Sequence, residues 1–333
     1  MFAPIAWQGA APATLVARVA EAGVIGMGGA GFPTHVKLAP PPNKPVDTLI
    51  LNGAECEPYL TADHRLMLER AEETWEGCRI LQKILGVKTL RLAIEPNKPD
   101  AIETMQAAMD RNPLPGVDAK IFVLRNVYPQ GAEKQQIRAV TGRVIPAGRL
   151  PMDVGCAVEN VATAFAIFEA VVRGLPLTHR IVTVSGDAVR APANLWVPNG
   201  TPFSDLIEAC GGAAESLVKI VAGGPMMGFA QPDASVAVAR TTSGLLLLSA
   251  GRTSLYSPRP CVSCGRCVEA CPMLLTPAEL SQCIEAGDFA AAEALFVKDC
   301  YECGACSYVC PCRRPLVQHM RRAKAGLLTG GKK

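Results

Sequence analysis

A doubled cysteine pattern near the C-terminal end constrains this chain more than any other feature. Cys261-x-x-Cys264-x-x-Cys267-x-x-x-Cys271-Pro272 is followed by Cys300-x-x-Cys303-x-x-Cys306-x-x-x-Cys310-Pro311. Two-residue gaps let one loop wrap a [4Fe–4S] cubane with three thiolates, and in a two-cluster domain the fourth Cys of each run ligates the other cluster. The spacing therefore pairs Cys261, Cys264, Cys267 and Cys310 at one cluster, and Cys300, Cys303, Cys306 and Cys271 at the second. Zinc sites also use C-x-x-C pairs, but need neither a third Cys at the same step nor a trailing Cys-Pro, twice over. A disulfide framework does not suit a long chain without a secretory signal. A chain with this pattern moves single electrons.

Its 333 residues allow two or three domains with substantial cores. A net charge of +3 gives no global pull toward nucleic acid or anionic membrane. Aromatic content of 5% leaves little for a base-stacking surface, so no nucleic-acid partner is expected. Fourteen cysteines, eight of them in the two runs, point to a reducing compartment. No apolar stretch reaches about 18 residues without Gly or Pro, so no transmembrane helix is expected. The N-terminus lacks the basic region and apolar block of a signal peptide.

Ahead of the cysteines the chain reads as α/β. A helix over 12–22 runs into Gly26-Met27-Gly28-Gly29-Ala30-Gly31-Phe32-Pro33-Thr34. This matches G-x-G-x-x-G, but a dinucleotide turn must follow a strand, and here a helix precedes it. The glycines still allow close backbone approach and amide donors for a phosphate, with Lys37 adding a positive charge; the alternative is a tight structural turn. Thr48-Leu49-Ile50-Leu51 reads as a buried strand running into Asn52-Gly53-Ala54-Glu55-Cys56-Glu57-Pro58, polar groups at the strand end where open α/β sheets bind ligands. A helix over 63–85, a strand over 89–94, a helix over 99–111 and a strand over 120–124 complete a parallel pattern. Gly131 and Glu133 open a further helix, offering N-terminal amides. A helix is expected from Val154 to Val172, with Glu159, Asn160 and Thr163 near its start. Short strands over 181–184, 195–197 and 218–221 around a helix over 202–210 indicate a small α+β domain. Residues 235–250 read as a strand pair, and a helix over 277–297 separates the Cys runs. The tail is basic at Arg313, Arg314, Arg321, Arg322, Lys324, Lys332 and Lys333; the plainer reading is a solvated helix face, the other a docking patch.

The glycine run, Asn52-Gly53-Ala54-Glu55-Cys56-Glu57-Pro58 and Val158-Glu159-Asn160-Val161-Ala162-Thr163 resemble the flavin- and NADH-binding subunit of respiratory complex I. They are closer to the C subunit of the Rnf (Rsx) complexes, which couple electron flow between NADH and ferredoxin to ion transport. Thr61-Ala62-Asp63-His64-Arg65-Leu66-Met67, Pro96-Asn97-Lys98-Pro99, Leu150-Pro151-Met152-Asp153, Gly223-Gly224-Pro225-Met226-Met227-Gly228 and the tandem Cys runs share that likeness.

The resemblance implies a Rossmann-like parallel-sheet FMN/NADH domain over 1–175, a β-grasp (SLBB-like) domain over 176–235 and a helical two-[4Fe–4S] ferredoxin-like domain over 236–333. It implies non-covalent FMN at Gly26, Gly28, Gly29, Lys37, Asn52, Glu55, Cys56, Gly131, Asn160 and Thr163, with Phe32, Glu57 and Glu133 near the nicotinamide nucleotide. It further implies a peripheral place on the cytoplasmic side of the inner membrane, among the other subunits of an Rnf-type complex, with ferredoxin as an indirect partner. Glu159 stands where that pattern has Gln, and Ala162 where it has Gly. Family members generally carry an N-terminal barrel-sandwich module ahead of the glycine loop, so the chain is expected to be an excerpt or a short variant. Hydride transfer needs no general base, so no acid–base catalyst is expected. Two other readings are a soluble flavin/Fe–S reductase serving cobalamin or an amino-acid reductase, and a non-enzymatic electron relay.

Overall fold

The computed structural model describes residues 1–253 and 258–330, so Lys332 and Lys333 of the basic tail lie outside the described residues. Two compact units are present. One comprises Met1–Ile145 with Leu150–Arg252, the other Thr253 onward with the short loop Pro146–Arg149.

The first unit opens with α1 (Pro12–Glu21) and the single turn α2 (Thr34–Lys37) on either side of the glycine run. A parallel sheet follows, built from β1 (Thr48–Gly53), β2 (Thr89–Ile94), β3 (Asp118–Val123) and β4 (Cys156–Asn160) in the order β3-β2-β1-β4. Its helices are α3 (Ala62–Glu69), α4 (Ala71–Leu85), α5 (Pro99–Arg111), α6 (Glu133–Thr141) and α7 (Val161–Phe168). β1 is apolar on both faces because both are covered. Leu49 and Leu51 join one core with Leu90, Leu92, Trp75 and Ile80, while Ile50 joins Ala93, Val158 and Ile137 on the other side.

The structure corrects the expected helix from Val154 to Val172. Its first part is β4, paired parallel with β1 from Thr48↔Cys156 to Asn52↔Asn160. Only from Val161 does the chain become helical, ending in one π-turn over Glu169–Arg173. Strand and helix abut with no Gly or Pro between them, so the apolar run carries no mark of the change. The helix expected over 63–85 is likewise two helices, broken at Arg70 (φ −136°, ψ 38°).

The second sheet of this unit contains β5 (His179–Ser185), β6 (Ala193–Pro198), β7 (Leu217–Ala222), β8 (Phe229–Gln231) and β9 (Gly244–Ser249), in the order β6-β5-β9-β7-β8, with α8 (Phe203–Ala209) packed on it. β9 lies at the centre, parallel to β5 and antiparallel to β7. Leu245 and Leu247 fill one face and Leu246 and Leu248 the other. The second sheet therefore extends to Ser249, past the boundary expected at 235. Of the strand pair expected over 235–250, β9 forms, and Ala237 makes a single bridge to Pro202.

The second unit holds α9 (Arg266–Glu269), α10 (Pro277–Glu285), α11 (Phe289–Ala294), α12 (Ala305–Tyr308) and α13 (Leu316–Gly330). The helix expected over 277–297 divides into α10 and α11 at Gly287 (φ +78°), with Asp288 capping α11 through the Ala291 amide.

Candidate functional site

In the parallel sheet β1 lies between β2 on one side and β4 on the other, so the connections leave in opposite directions. Ligands of open α/β sheets bind outside the C-terminal strand ends at such a switch point. The strand ends here are Asn52-Gly53 and Asn160, and the glycine run is drawn to them. The Met27 amide donates to Thr163 Oγ1 at 2.9 Å. Gly26 N–H donates to Phe32 O at 2.8 Å and Gly31 N–H to Gly26 O at 3.1 Å, which closes the loop on itself. Gly29 sits at φ +113° with open space where a Cβ would project, so the backbone can come up against a ligand there.

Lys37 reaches this place from α2. Its ammonium bonds the Val158 carbonyl, pairs with Glu133 Oε1 at 3.1 Å and stands 3.6 Å from Glu159 Oε1. Burial works against its charge, but Glu159 and Glu133 hold it above the ordinary lysine value. Glu159 is 1% exposed and neither of its oxygens has a hydrogen-bond partner among the described residues. Burial raises its carboxyl to about 7; Lys37 opposes the rise and Glu133 adds to it.

The asparagines shape the crevice more than they offer free donors. Asn52 Nδ2 donates to Gly131 O at 2.9 Å, and its Oδ1 accepts from the Ala54 amide and from Gln136 Nε2. Asn160 caps α7 through the Ala162 amide and donates to Asp63 Oδ2 at 2.6 Å. Gly131 lies against Cys56, its amide 3.3 Å from the sulfur. Burial pushes the Cys56 thiol up to about 11, with Glu95 and Glu57 adding to the rise.

The three acids behave differently. Glu55, in the left-handed region at φ +49°, accepts from the amides of Asp63 and His64 at 2.7 and 3.0 Å and so caps α3. Burial, with Asp63 alongside, raises its carboxyl to about 8. Glu57 accepts from the amides of Met226 and Met227 at 3.1 and 2.7 Å, tying the strand-end loop to the Gly223–Gly228 turn. Glu133 opens α6 and pairs with Lys37, its side chain 40% exposed. Phe32 is 48% exposed.

The sequence reading gave no role to Asp63, Lys98 or Arg180. Asp63 is raised by burial, opposed by the Asn160 hydrogen bond and by Arg180 and Lys98. Lys98 donates to the Ala54 carbonyl at 2.6 Å and to Glu95 at 3.2 Å. For Asp63 and Lys98 the signal lay in charged residues inside the Thr61–Met67 and Pro96–Pro99 segments; Arg180, at the start of β5, carried none.

In the second unit the cysteine runs fold alike. Each third Cys, Cys267 and Cys306, is buried on a short helix, α9 or α12. Left-handed residues fall at matching places: Ser263, Gly265 and Leu274 in the first run, Glu302, Gly304 and Arg313 in the second. These turns aim amides at sulfur, Ser263 N–H at Cys261 Sγ and Glu302 N–H at Cys300 Sγ, each 3.4 Å, and Leu275 N–H reaches Cys271 Sγ at the same distance. Cys271, Cys300, Cys303 and Cys306 line one cavity together with Leu275 and Met320. Burial pushes the Cys306 thiol up to about 12, with Cys300, Cys303 and Cys271 adding to it. Cys267 is raised by burial and then by Cys310 and Cys261. The fourth Cys of each run thus stands with the other run. Cys264 is exposed. Part of the basic tail is paired: Arg321 and Lys324 meet Glu302 at 2.8 and 2.9 Å, and Lys324 also bonds the Cys300 carbonyl.

These features suit the groups the resemblance implies. The loop offers amides, a lysine and open space at Gly29; Cys271, Cys300, Cys303 and Cys306 share one cavity, Cys267 stands with Cys261 and Cys310, and amides support the sulfurs.

Residues 19–169 match the family described as the Nuo51 FMN-binding domain, 181–230 the SLBB domain, and 254–311 the 4Fe-4S dicluster domain. The C subunit of the Na(+)-translocating ferredoxin:NAD(+) oxidoreductase complex of Acetobacterium woodii is 44% identical over 317 residues, which is 95% of this chain and 70% of that protein. The chain belongs to this C-subunit family. The corresponding subunit of the proton-translocating complex of Clostridium ljungdahlii is 49% identical over 83% of the chain, and that of Rhodobacter capsulatus 48% identical over 96%. The chain spans 59% and 61% of the lengths of these two relatives. An NAD+-reducing [NiFe]-hydrogenase chain shares the fold, at a TM-score of 0.67 and 20% identity, covering 95% of this chain and 63% of that one. FMN and [4Fe–4S] clusters are the cofactors of the first and last of these domains.

The glycine loop yields a direct expectation. Gly29→Val places a branched side chain in the open space and at a φ that only glycine adopts readily. Bound FMN should fall on the order of tenfold or more while the cluster absorbance stays unchanged. Normal flavin content in that variant would remove the loop from the site.

Proposed function

We propose that the chain carries electrons between NADH and the other subunits of a membrane Rnf-type complex, with FMN at the glycine loop and two [4Fe–4S] clusters in the cysteine cages. The observation carrying this reading is the convergence of loop amides, Lys37 and open space at Gly29 on the ends of β1 and β4, in a chain that also holds two thiol cages. FMN, when bound, converts the hydride pair of NADH into the single electrons that a cubane accepts.

The chain's own residues bind and orient. Gly26, Gly28 and Gly29 present the loop backbone, Lys37 supplies positive charge to a phosphate, and Thr163 holds the loop through Met27. Asn52, Glu55, Cys56, Gly131 and Asn160 form a wall whose polar groups are already tied to one another and to α3. Phe32 offers an exposed ring to the nicotinamide nucleotide and Glu133 a carboxylate to ribose. Glu57, engaged by Met226 and Met227, contributes its negative field. Cys261, Cys264, Cys267 and Cys310 would hold one cluster, and Cys300, Cys303, Cys306 and Cys271 the other. No helix among the described residues is long and apolar enough to cross a membrane. The proposed place is peripheral, on the cytoplasmic side, with ferredoxin reached through partner subunits. This follows the relatives, whose names make them subunits of ferredoxin:NAD(+) oxidoreductase complexes.

Nucleotide choice tests the reading. Glu133 and Glu57 suit ribose hydroxyls and repel a 2′-phosphate, and Lys37 is already shared by Glu133, Glu159 and the Val158 carbonyl. One unit charge at close range is worth more than about 1.4 kcal/mol in a partly buried site, so NADH should bleach the flavin on the order of tenfold faster than NADPH or more. Stopped-flow absorbance on the isolated subunit reads this directly. Equal rates would defeat the specificity. Bleaching by neither nucleotide, with FMN bound, would make the chain a relay fed by another protein.

A further inference from the structure

Glu159 is a buried carboxyl with neither oxygen hydrogen-bonded among the described residues, and no part of the proposed electron path uses it. It stands on β4 one residue before Asn160, at the mouth of the switch-point crevice. β1 and α7, packed beside it, carry no ionisable side chain. α2 brings His35 and Lys37, α6 brings Glu133, Lys134 and Arg138, and the turn before β4 brings Asp153, which pairs with Lys44 at 2.7 Å. Of these charges, those of Lys37 and Glu133 bear on Glu159.

One ammonium is thus shared by two carboxylates. Lys37 is within hydrogen-bond reach of Glu133 and of the Val158 carbonyl, but 3.6 Å from Glu159. With all three ionised, the cluster carries one uncompensated negative charge in a site closed to water on the Glu159 side. A buried charge without a partner is costly and neutralises instead. A phosphate group arriving at the glycine loop adds up to two negative charges and competes for Lys37. Glu133, 40% exposed, can turn to solvent; Glu159 cannot.

We infer that Glu159 takes up a proton from solvent when a phosphate-bearing flavin binds at the Lys37 loop, so that cofactor loading is proton-coupled at this carboxyl. The inference rests on the reading of that loop as the FMN site. No bond other than the O–H of the acid forms, and the phosphate takes the share of Lys37 that Glu159 gives up. Glu159 is a positioning residue here: ionised, it draws Lys37 toward β4, and neutral, it releases the ammonium to the ligand.

Calorimetric titration of FMN into the full chain, stripped of flavin with its clusters intact, measures the coupling. Runs at pH 8 in buffers of different ionisation enthalpy should show uptake approaching one proton, and at pH 6 much less. FMN affinity should fall by up to about tenfold per pH unit above neutrality. In Glu159→Gln the uptake should vanish and affinity should become nearly independent of pH between about 6.5 and 8.5. Glu133→Gln, which removes a neighbouring negative charge, should move the onset of uptake to lower pH, a shift that a merely structural role for Glu159 would not produce. FMN binding at pH 8 without proton uptake, or uptake unchanged in Glu159→Gln, overturns the inference and leaves the flavin site standing. Absence of FMN binding at any pH overturns both.

Discussion

Gly77→Ala should be among the most damaging single-methyl changes in the protein, lowering stability by about 3 kcal/mol or more. A Cβ at Gly77 would lie 1.8 Å from the carbonyl oxygen of Ala164 and 2.5 Å from its carbon. Both are backbone atoms of α7, so no rotamer change relieves the clash, and α4 and α7 must separate by more than an ångström. Alanine gains about 1 kcal/mol over glycine in helix propensity, but overpacking costs about 1–3 kcal/mol even where side chains can give way. The clash therefore wins. The effect should also reach the site. α7 carries Thr163, which accepts the Met27 amide, and begins at Asn160, which bonds Asp63; shifting α7 pulls the anchor out of the glycine loop. A melting temperature lower by about 6–12 °C, together with weakened FMN retention, is the expected result. An unchanged melting curve would mean that α4 and α7 are not in contact at this glycine.

That coupling of helix packing to the cofactor crevice was only partly legible in the sequence. β1 declared itself, because an apolar run ending in Asn52-Gly53 is punctuated at both ends. β4 did not: Cys156 to Phe168 is apolar apart from Glu159, Asn160 and Thr163, and a strand can pass straight into a helix inside such a run. Only the pairing of Cys156–Asn160 with Thr48–Asn52, far away in the chain, identifies it. The acids were visible as site residues, but their partners were not. Glu55 is held by amides a few residues on, whereas Glu57 is held by Met226 and Met227 in another domain. The Cys spacing revealed the runs but not their turns. Ser263, Leu274, Glu302 and Arg313 are left-handed without being glycine, a conformation that side-chain identity alone does not announce. Glu159 was legible only as a residue out of pattern; its burial and its missing partners supply the chemistry.

The cysteine cages give the other large effect. Alanine at Cys261 or at Cys310 should abolish one and the same cluster, and alanine at Cys300 or at Cys271 the other. The argument is spatial. Cys310 and Cys261 are the thiols whose charge bears on Cys267, and Cys271 bears on Cys300, Cys303 and Cys306 while lining the same cavity with them. On the proposed pairing each run contributes three sulfurs to its own cluster and lends the fourth. A cubane missing one thiolate loses a covalent ligand that no neighbour replaces at the same geometry. Iron should then fall from about eight to about four per chain in each variant. The reduced protein's electron paramagnetic resonance spectra should group Cys261→Ala with Cys310→Ala, and Cys300→Ala with Cys271→Ala. The two groups should also differ in how they age in air. Cys264 is exposed while Cys303 and Cys306 are buried, so the first cage is the more open to oxidants, and chains left with that cluster alone should bleach faster. A spectrum of Cys310→Ala matching that of Cys306→Ala would show that each run closes on itself. Stoichiometric zinc without iron, in protein purified without air, would remove the clusters altogether.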